Sequence, residues 1–141
     1  MTLRVVLDAA AFDHLDGPSA RGLLAILERA VAQHDGEVRC AAVTLAEVCR
    51  GPARTRRVEA ILAARRGGRP ITVVPTDERL AKLVGAVLDH AREGSAMIAD
   101  AHVVAVCAGA ERALVVTSDP DDIVRLSAAA PATRVLTHTI T

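Results

Sequence analysis

Near its N-terminus the chain reads Leu3-Arg4-Val5-Val6-Leu7-Asp8, followed by Ala9-Ala10-Ala11-Phe12. A continuous apolar, β-branched run of this kind is typical of a strand that is buried on both faces, as in a parallel sheet. The run stops on a carboxylate, and the small residues after it favour a helix. Ligands of open α/β sheets bind beyond the carboxyl ends of such strands. Asp8 is therefore the first candidate functional residue, although an aspartate also caps a following helix well.

Length and composition indicate one globular domain over residues 1–141. The chain is 51% hydrophobic and has a formal net charge of zero, so net charge gives no argument for a nucleic-acid or membrane partner. Its 3 cysteines lack the paired spacing of a zinc site. We expect them to be small buried side chains in a reducing cytoplasm. No run is long and apolar enough to span a bilayer, so we expect no membrane association.

Segments typical of strands alternate with segments typical of helices along the rest of the chain. Strands are predicted at 38–43, 71–74, 114–117 and 134–137. Helices are predicted from Ser19 to near Gly36, after a Thr44 cap, from Pro52 to Gly67-Gly68, after Thr76 or Asp77, and over 96–110 and 120–129. This alternation favours a parallel sheet with helices on both faces. Strands one and four can then be neighbours, which would bring Asp8 and Asp119 together.

Two further acids stand among apolar residues. Glu47 lies within the mainly apolar segment 43–49, so we expect it to be buried and to need a nearby arginine or a cation. Asp100 shares a helix face with Val103, Val104 and Cys107, and no basic residue lies within one turn of it. Both positions are unusual for an aspartate or glutamate without a function.

Asp119 precedes Pro120, as an N-cap residue often precedes a proline in the first helical turn. Such a capping aspartate can still present its outer oxygen to a ligand. If Asp8, Glu47, Asp100 and Asp119 converge, their charges need a compensating cation. A cluster of carboxylate oxygens suits Mg²⁺ or Mn²⁺ rather than zinc, and these ions serve phosphoryl chemistry.

Four motifs follow one another in the order and spacing of a known family. They are Val6-Leu7-Asp8, Thr44-Leu45-Ala46-Glu47, Ala99-Asp100-Ala101-His102-Val103-Val104-Ala105, and Thr117-Ser118-Asp119 with Asp122 three residues on. The chain resembles the PIN-domain ribonucleases over nearly its whole length, and in size and layout the VapC-type toxins of bacterial toxin–antitoxin pairs. The resemblance implies an α/β fold, a PIN-like three-layer α/β/α sandwich around a central, mostly parallel five-stranded sheet.

The resemblance also implies an endoribonuclease that depends on Mg²⁺ or Mn²⁺ and leaves a 5′-phosphate and a 3′-hydroxyl. Its catalytic metal ligands would be Asp8, Glu47, Asp100 and Asp119, with Asp122 as a further acid at the metal and Thr117 as a supporting hydrogen-bonding residue. Family members are usually homodimers held inactive by a small DNA-binding antitoxin. The implied partners are thus RNA, a VapB-like antitoxin and a second copy of the chain.

One position departs from the family pattern. Family members commonly carry a small hydroxyl or amide residue two positions after the first aspartate, where this chain has Ala10. A supporting hydrogen bond would be missing there, which would weaken metal affinity.

The densest basic run lies between Arg50 and Arg69. It could be a phosphate track that leads RNA to the acids, for which Arg50, Arg54, Arg56 and Arg57 are the candidates, or a solvated helix face. With Phe12 as the only aromatic residue, base stacking cannot dominate RNA recognition. We expect His102 to be a packed or surface histidine, because carboxylate–metal chemistry does not need it as a base.

Two other classes of function stay open. A signalling or nucleotide-binding α/β domain would share the sheet, but the chain lacks G-x-G-x-x-G and G-K-[ST], and Asp77 only loosely fits a phosphoacceptor position. A non-catalytic PIN-like domain that binds RNA or a protein would keep the fold, and Ala10 is consistent with it. Stabilisation by Mn²⁺ and EDTA-sensitive RNA cleavage distinguish these possibilities.

Overall fold

Five strands form one sheet in the computed structural model, which describes residues 2–64 and 70–141. The strands are β1 (Leu3–Leu7), β2 (Glu37–Ala41), β3 (Ile71–Val74), β4 (Arg112–Thr117) and β5 (Arg134–Thr139). Their order is β3-β2-β1-β4-β5, and every neighbouring pair is parallel. The predicted central five-stranded sheet is confirmed, as is the adjacency of its first and fourth strands.

Helices cover both faces of the sheet. Those in the described residues are α1 (Ala9–Leu15), α2 (Ala20–His34), α3 (Ala42–Val48), α4 (Pro52–Ala63), α5 (Glu78–Ala91), α6 (Ile98–Cys107) and α7 (Pro120–Ser127), with a 3₁₀ turn at Ser95–Met97. Successive side chains of a strand point to opposite faces. Val5 and Leu7 accordingly pack in a core with α1 and α2, whereas Val6 packs in a second core with α5, α6 and α7. The predicted three-layer α/β/α sandwich is confirmed.

The largest error in the predicted boundaries lies after β2. The strand ends at Ala41, and Val43 and Thr44 lie inside α3 rather than in a strand and at a cap. Ala41 precedes the helix without a side-chain capping bond, and the Thr44 side chain is fully buried. A short run of buried β-branched residues fits a strand end and a buried first helical turn equally well, so the pattern could not separate them.

Smaller differences concern where elements end. The helix predicted over 96–110 ends at Cys107, because the chain turns there with Gly109 at a φ of 91°. β4 begins two residues before Leu114, α7 ends at Ser127 and β5 continues to Thr139. The Asp77 cap of α5 is confirmed by its bond from the Leu80 N–H at 2.8 Å. The helix predicted to run to Gly67-Gly68 is shorter: α4 ends at Ala63, where Ala64 is extended, and the two glycines themselves lie outside the described residues.

Burial of the cysteines follows the prediction only in part. Cys40 and Cys107 are fully buried, whereas Cys49 is partly exposed. Within the described part of the chain, no helix has both the length and the apolar character needed to cross a membrane.

Candidate active site

The carboxyl ends of β1 and β4 bring Asp8, Thr117 and Asp119 into one hydrogen-bonded group. The backbone N–H of Asp8 donates to the carbonyl of Val116 at 3.1 Å and so joins the two strand ends. The Thr117 hydroxyl donates to Oδ2 of Asp8 at 2.8 Å and accepts from the backbone N–H of Asp119 at 3.0 Å. Thr117 is fully buried and Asp8 is 8% exposed, so the hydrogen bond between these two side chains is shielded from bulk water.

Asp8 also caps α1. Its Oδ1 accepts the backbone N–H of Ala9 at 2.7 Å, and its backbone is extended, as at an N-cap. Each carboxylate oxygen can accept two hydrogen bonds or ligands. Since each oxygen of Asp8 accepts one bond here, both keep an open acceptor position. Capping and ligand binding by this carboxylate are therefore compatible.

Asp100 lies in the first turn of α6, half-buried among charges of its own sign. Burial and the carboxylates of Asp8, Asp122, Asp119 and Glu47, in that order, raise the pKa of Asp100 to about 6. No described residue forms an ion pair with Asp100. The other four predicted acids therefore lie within electrostatic range of Asp100, and no cation of the described chain pairs with it.

Glu47 is exposed, contrary to its predicted burial. Thr44 and Val48 form the buried face of α3, whereas Ala46 and Glu47 lie on its outer side. The carboxyl group is still partly desolvated: burial and the charge of Asp8 raise its pKa, and Arg50 offsets this only in part. The alternative of an arginine partner is not seen, because no described residue forms an ion pair with Glu47.

Asp119 occupies the N-cap position of α7, but its side chain does not cap the helix. The carboxylate is exposed and lines a cleft of about 290 Å³ together with Ser118, Pro120, Asp121 and Asp122. Asp122 accepts a long bond of 3.4 Å from Arg125, a contact of little energy at an exposed position. The cleft therefore keeps its acidic character.

The donor set of this site fits a hard divalent cation. Every candidate ligand is a carboxylate, and the pKa of Asp100 is raised by burial and by the repulsion of the other acids, which a cation would offset. In residues 2–64 and 70–141, however, no three aspartate, glutamate, histidine or cysteine side chains stand close enough together to hold one ion. The chain thus supplies the right ligand type, and the carboxylates would have to draw together around the ion.

Arg54 and Arg57 form ion pairs within the domain, so they are not free members of the predicted phosphate track. Arg54 pairs with Asp13 and, at 2.6 Å, with Asp16, and Arg57 pairs with Asp16 at 2.8 Å. Arg54 also donates to the carbonyl of Val48 at 3.4 Å. It therefore joins α4 to α1, which follows Asp8, and to the end of α3, which carries Glu47. The ion pairs with Asp16 could not be predicted, because their partners are about forty residues apart in the chain.

Arg50 and Arg56 remain as exposed members of the predicted track. Neither forms an ion pair with a residue that the structure describes. The electrostatic effect of Arg50 on Glu47 places its guanidinium beside the acidic site. Arg65, Arg66 and Arg69 lie outside the described residues.

The surroundings of the acids contain polar groups that sequence patterns did not single out. Ser118 also lines a second cleft, of about 340 Å³, with Ala10, Asp13 and His14. The hydroxyl of the fully buried Thr44 has no partner in the described residues. His102 is a packed histidine, as predicted: it is 5% exposed, and its Nδ1 lies 2.7 Å from the Ile98 carbonyl. The only signal for Ser118 and Thr44 was their place inside the quoted motifs.

Comparison with known proteins identifies the family of the chain and supports its fold. A family model described as PIN domain matches residues 5–129. A similar solved chain comes from the crystal structure of VapBC2 from Rickettsia felis bound to a DNA fragment from their promoter. It is 12% identical, with a TM-score of 0.61 over 96% of this chain and 98% of that chain, and at this identity the likeness concerns the fold. No curated protein matches the sequence significantly. Since the family model spans most of the chain, which carries the family's motifs in order, this protein belongs to the PIN domain family.

Proposed function

We propose that this chain is a metal-dependent endoribonuclease and the toxin of a toxin–antitoxin pair. The observation that carries the proposal is the group formed by Asp8, Thr117 and Asp119 at adjoining strand ends. Asp100 and Glu47 approach this group from separate helices and feel its charge. Acids gathered without neutralising partners are typical of functional sites rather than of stabilising ion pairs.

The chain's own residues would hold and orient a divalent ion. Asp8, Glu47, Asp100 and Asp119 are its proposed ligands, and Asp122 would contact it or its waters. Bound Mg²⁺ or Mn²⁺ would lower the pKa of a water and offset charge on the scissile phosphate. The Thr117 hydroxyl would fix the rotation of the Asp8 carboxylate, as partners of metal ligands usually do.

RNA fits the surroundings of these acids as a substrate read through its backbone. The two clefts of about 290 and 340 Å³ both include Ser118 in their lining, and the first also includes Asp119 and Asp122. Phe12, the only aromatic residue, is fully buried and cannot stack on a base. Arg50 is the best placed of the predicted arginines to contact a phosphate beside the site.

A VapB-like antitoxin is the proposed protein partner, since the similar solved chain belongs to a VapBC2 complex. The resemblance to the toxin family further implies a homodimer, and we expect one domain over residues 1–141 in each copy. A toxin directed at cellular RNA would act in the cytoplasm, where that RNA lies.

The decisive experiment is cleavage of a mixed RNA pool by the purified chain in Mg²⁺ or Mn²⁺. We expect cleavage that EDTA abolishes and that leaves 5′-phosphate ends. Asp8→Asn and Asp100→Asn should each reduce the rate on the order of 100-fold or more, because even removing a ligand's hydrogen-bond partner has effects of 10- to 100-fold.

Asp89→Asn provides the matched control, since Asp89 is an exposed aspartate on α5 outside the acidic site. It should cleave like the wild type. RNA binding without cleavage in either metal would contradict the proposal and favour a non-catalytic RNA-binding domain. The absence of both metal and RNA binding would favour a signalling domain.

A further inference from the structure

A second polar group lies on the face of the sheet that carries α5 and α6. Arg4 of β1 donates to Oε1 of Glu37 at 2.7 Å, and Arg39 of β2 donates to Oε2 of the same carboxylate at 3.0 Å. Arg4 also donates to the carbonyls of Val106 and Ala108 at 3.0 and 3.1 Å. Glu37 and the end of α6 therefore hold these two guanidinium groups in fixed positions.

These arginines line a cavity with a third arginine. The cavity has a volume of about 270 Å³, and Arg79 of α5 joins Arg4 and Arg39 in its lining. Leu80 and Leu83 contribute to an otherwise largely apolar wall. None of the described lining residues carries a carboxylate. The cavity thus presents three guanidinium groups beside apolar side chains, and this excess of positive groups in its lining favours an anion.

The charges around this cavity are not balanced. Three guanidinium groups stand against two carboxylates, those of Glu37 and of Glu111, which lines the adjoining cleft with Arg4 and Arg39, so one positive charge is in excess. Burial acts to raise the pKa of Glu37, but the hydrogen bonds from Arg4 and Arg39 lower it overall, so the carboxylate stays ionised.

Donors at this cavity also lack acceptors. The Nε of Arg39 is buried and has no hydrogen-bond partner in the described residues. Arg79 is exposed and forms no ion pair with a described residue. A buried charged donor without an acceptor is unfavourable, so an acceptor supplied from outside the chain would stabilise this arrangement.

We propose that the cavity lined by Arg4, Arg39 and Arg79 binds a phosphate group. Phosphate oxygens accept the paired donors of guanidinium groups in a planar, bidentate manner, and an anion would offset the excess positive charge. The phosphate can come from an RNA backbone or from a free nucleotide. Arg4 precedes Asp8 by four residues on β1, about 13 Å along a strand, so RNA bound at the acids could reach it. Phosphate binding in this cavity does not depend on whether the acidic site is catalytic.

Calorimetric titration of the full chain with inorganic pyrophosphate, after removal of metal ions, tests the site. The double variant Arg39→Gln/Arg79→Gln should bind pyrophosphate at least about tenfold more weakly. The loss of one charge-assisted hydrogen bond reduces affinity by about this factor. The matched control is Arg21→Gln, an exposed arginine of α2, which packs on the other face of the sheet. It should bind like the wild type. Arg4 stays unchanged because it supports the fold.

The same variants titrated with a short RNA in metal-free buffer identify the source of the phosphate. Weaker binding of both pyrophosphate and RNA by the double variant indicates the RNA backbone, and weaker binding of pyrophosphate alone indicates a free nucleotide. Arg79→Gln by itself keeps the test valid if the double variant misfolds, because Arg79 is exposed. No pyrophosphate binding by the wild type, or equal binding by the wild type and the Arg79→Gln variants, overturns the proposal.

Discussion

Glu37 and Asp100 are carboxylates of one domain in opposite surroundings. Glu37 receives hydrogen bonds from two arginines, which lower its pKa overall although burial opposes this. Asp100 has no basic partner among the described residues, and burial and the charges of four other acids raise its pKa to about 6. The first arrangement stabilises the folded chain, whereas the second opposes folding until a cation or proton arrives. The contrast distinguishes a carboxylate that stabilises the fold, Glu37, from one that has no protein partner and can bind a ligand, Asp100.

The largest expected effect is stabilisation by the cation. Mn²⁺ at a hundredfold excess over its Kd should raise the free energy of unfolding of the wild type by about 2.7 kcal/mol. Asp100→Asn should lose most of this gain, because it removes both a ligand and the repulsion that a cation offsets. Thermal melts with and without Mn²⁺ measure the effect. Glu37→Gln is the control and should keep the full gain; an unchanged gain in Asp100→Asn would contradict the assignment.

A smaller effect should follow from Thr117→Val, which keeps the shape of the side chain and removes its hydroxyl. Asp8 would lose the bond at 2.8 Å that fixes its rotation, so Mn²⁺ should bind roughly 10- to 100-fold more weakly. Titration of Mn²⁺ by calorimetry gives the Kd. Thr55→Val is a matched control, because the Thr55 hydroxyl donates to the carbonyl of Gly51 at the exposed start of α4. If the two variants bound Mn²⁺ with equal affinity, Thr117 would have only a packing role.

Next in size is the destabilisation expected from Glu37→Gln. The amide cannot neutralise Arg4 and Arg39, whose side chains are 14% and 31% exposed, so two partly buried cations would lose their common partner. We expect a loss of about 1–2 kcal/mol in the free energy of unfolding, measured by urea denaturation. Asp100→Asn without metal should be neutral or stabilising in the same measurement. A loss in both variants would remove the distinction between the two acids.

Much of the acidic site could be predicted from local sequence patterns. The apolar run before Asp8 and the alternation of strands and helices were enough to place Asp8 beside Asp119, because parallel topology permits few arrangements. Asp100 stood out as an acid on an apolar helix face without a basic neighbour. These inferences needed only patterns within one element and general rules for joining elements.

The remaining features depend on packing that local patterns do not contain. Seven residues of α3 give too few turns to show which side is buried, so Glu47 was wrongly expected inside. The ion pairs of Arg54 and Arg57 with Asp16 depend on how α4 lies against α1. The link from Glu37 to Arg4 likewise depends on strand register, which the alternation of residues leaves open.

The smallest expected effect is a difference in how the two acids respond to pH in the absence of metal. Asp100 has a pKa of about 6 in the folded chain and an ordinary value of 3.8, so the folded state binds its proton more tightly than the unfolded state. Its contribution to stability is therefore fully present below pH 3.8 and is lost as the pH rises through about 6. Glu37 has a lowered pKa, so its contribution is present above pH 4.5 and is lost as the pH falls.

Urea denaturation of the wild type and both variants across pH 3 to 8 would separate these contributions. Asp100→Asn should remove the loss of stability between about pH 4 and 6, and Glu37→Gln should remove part of the loss below about pH 4.5. Because a cation competes with the proton on Asp100, Mn²⁺ affinity of the wild type should also rise up to about pH 6 and then level off. If Asp100→Asn left the pH profile above 4 unchanged, the acids would lie too far apart to act on one ion.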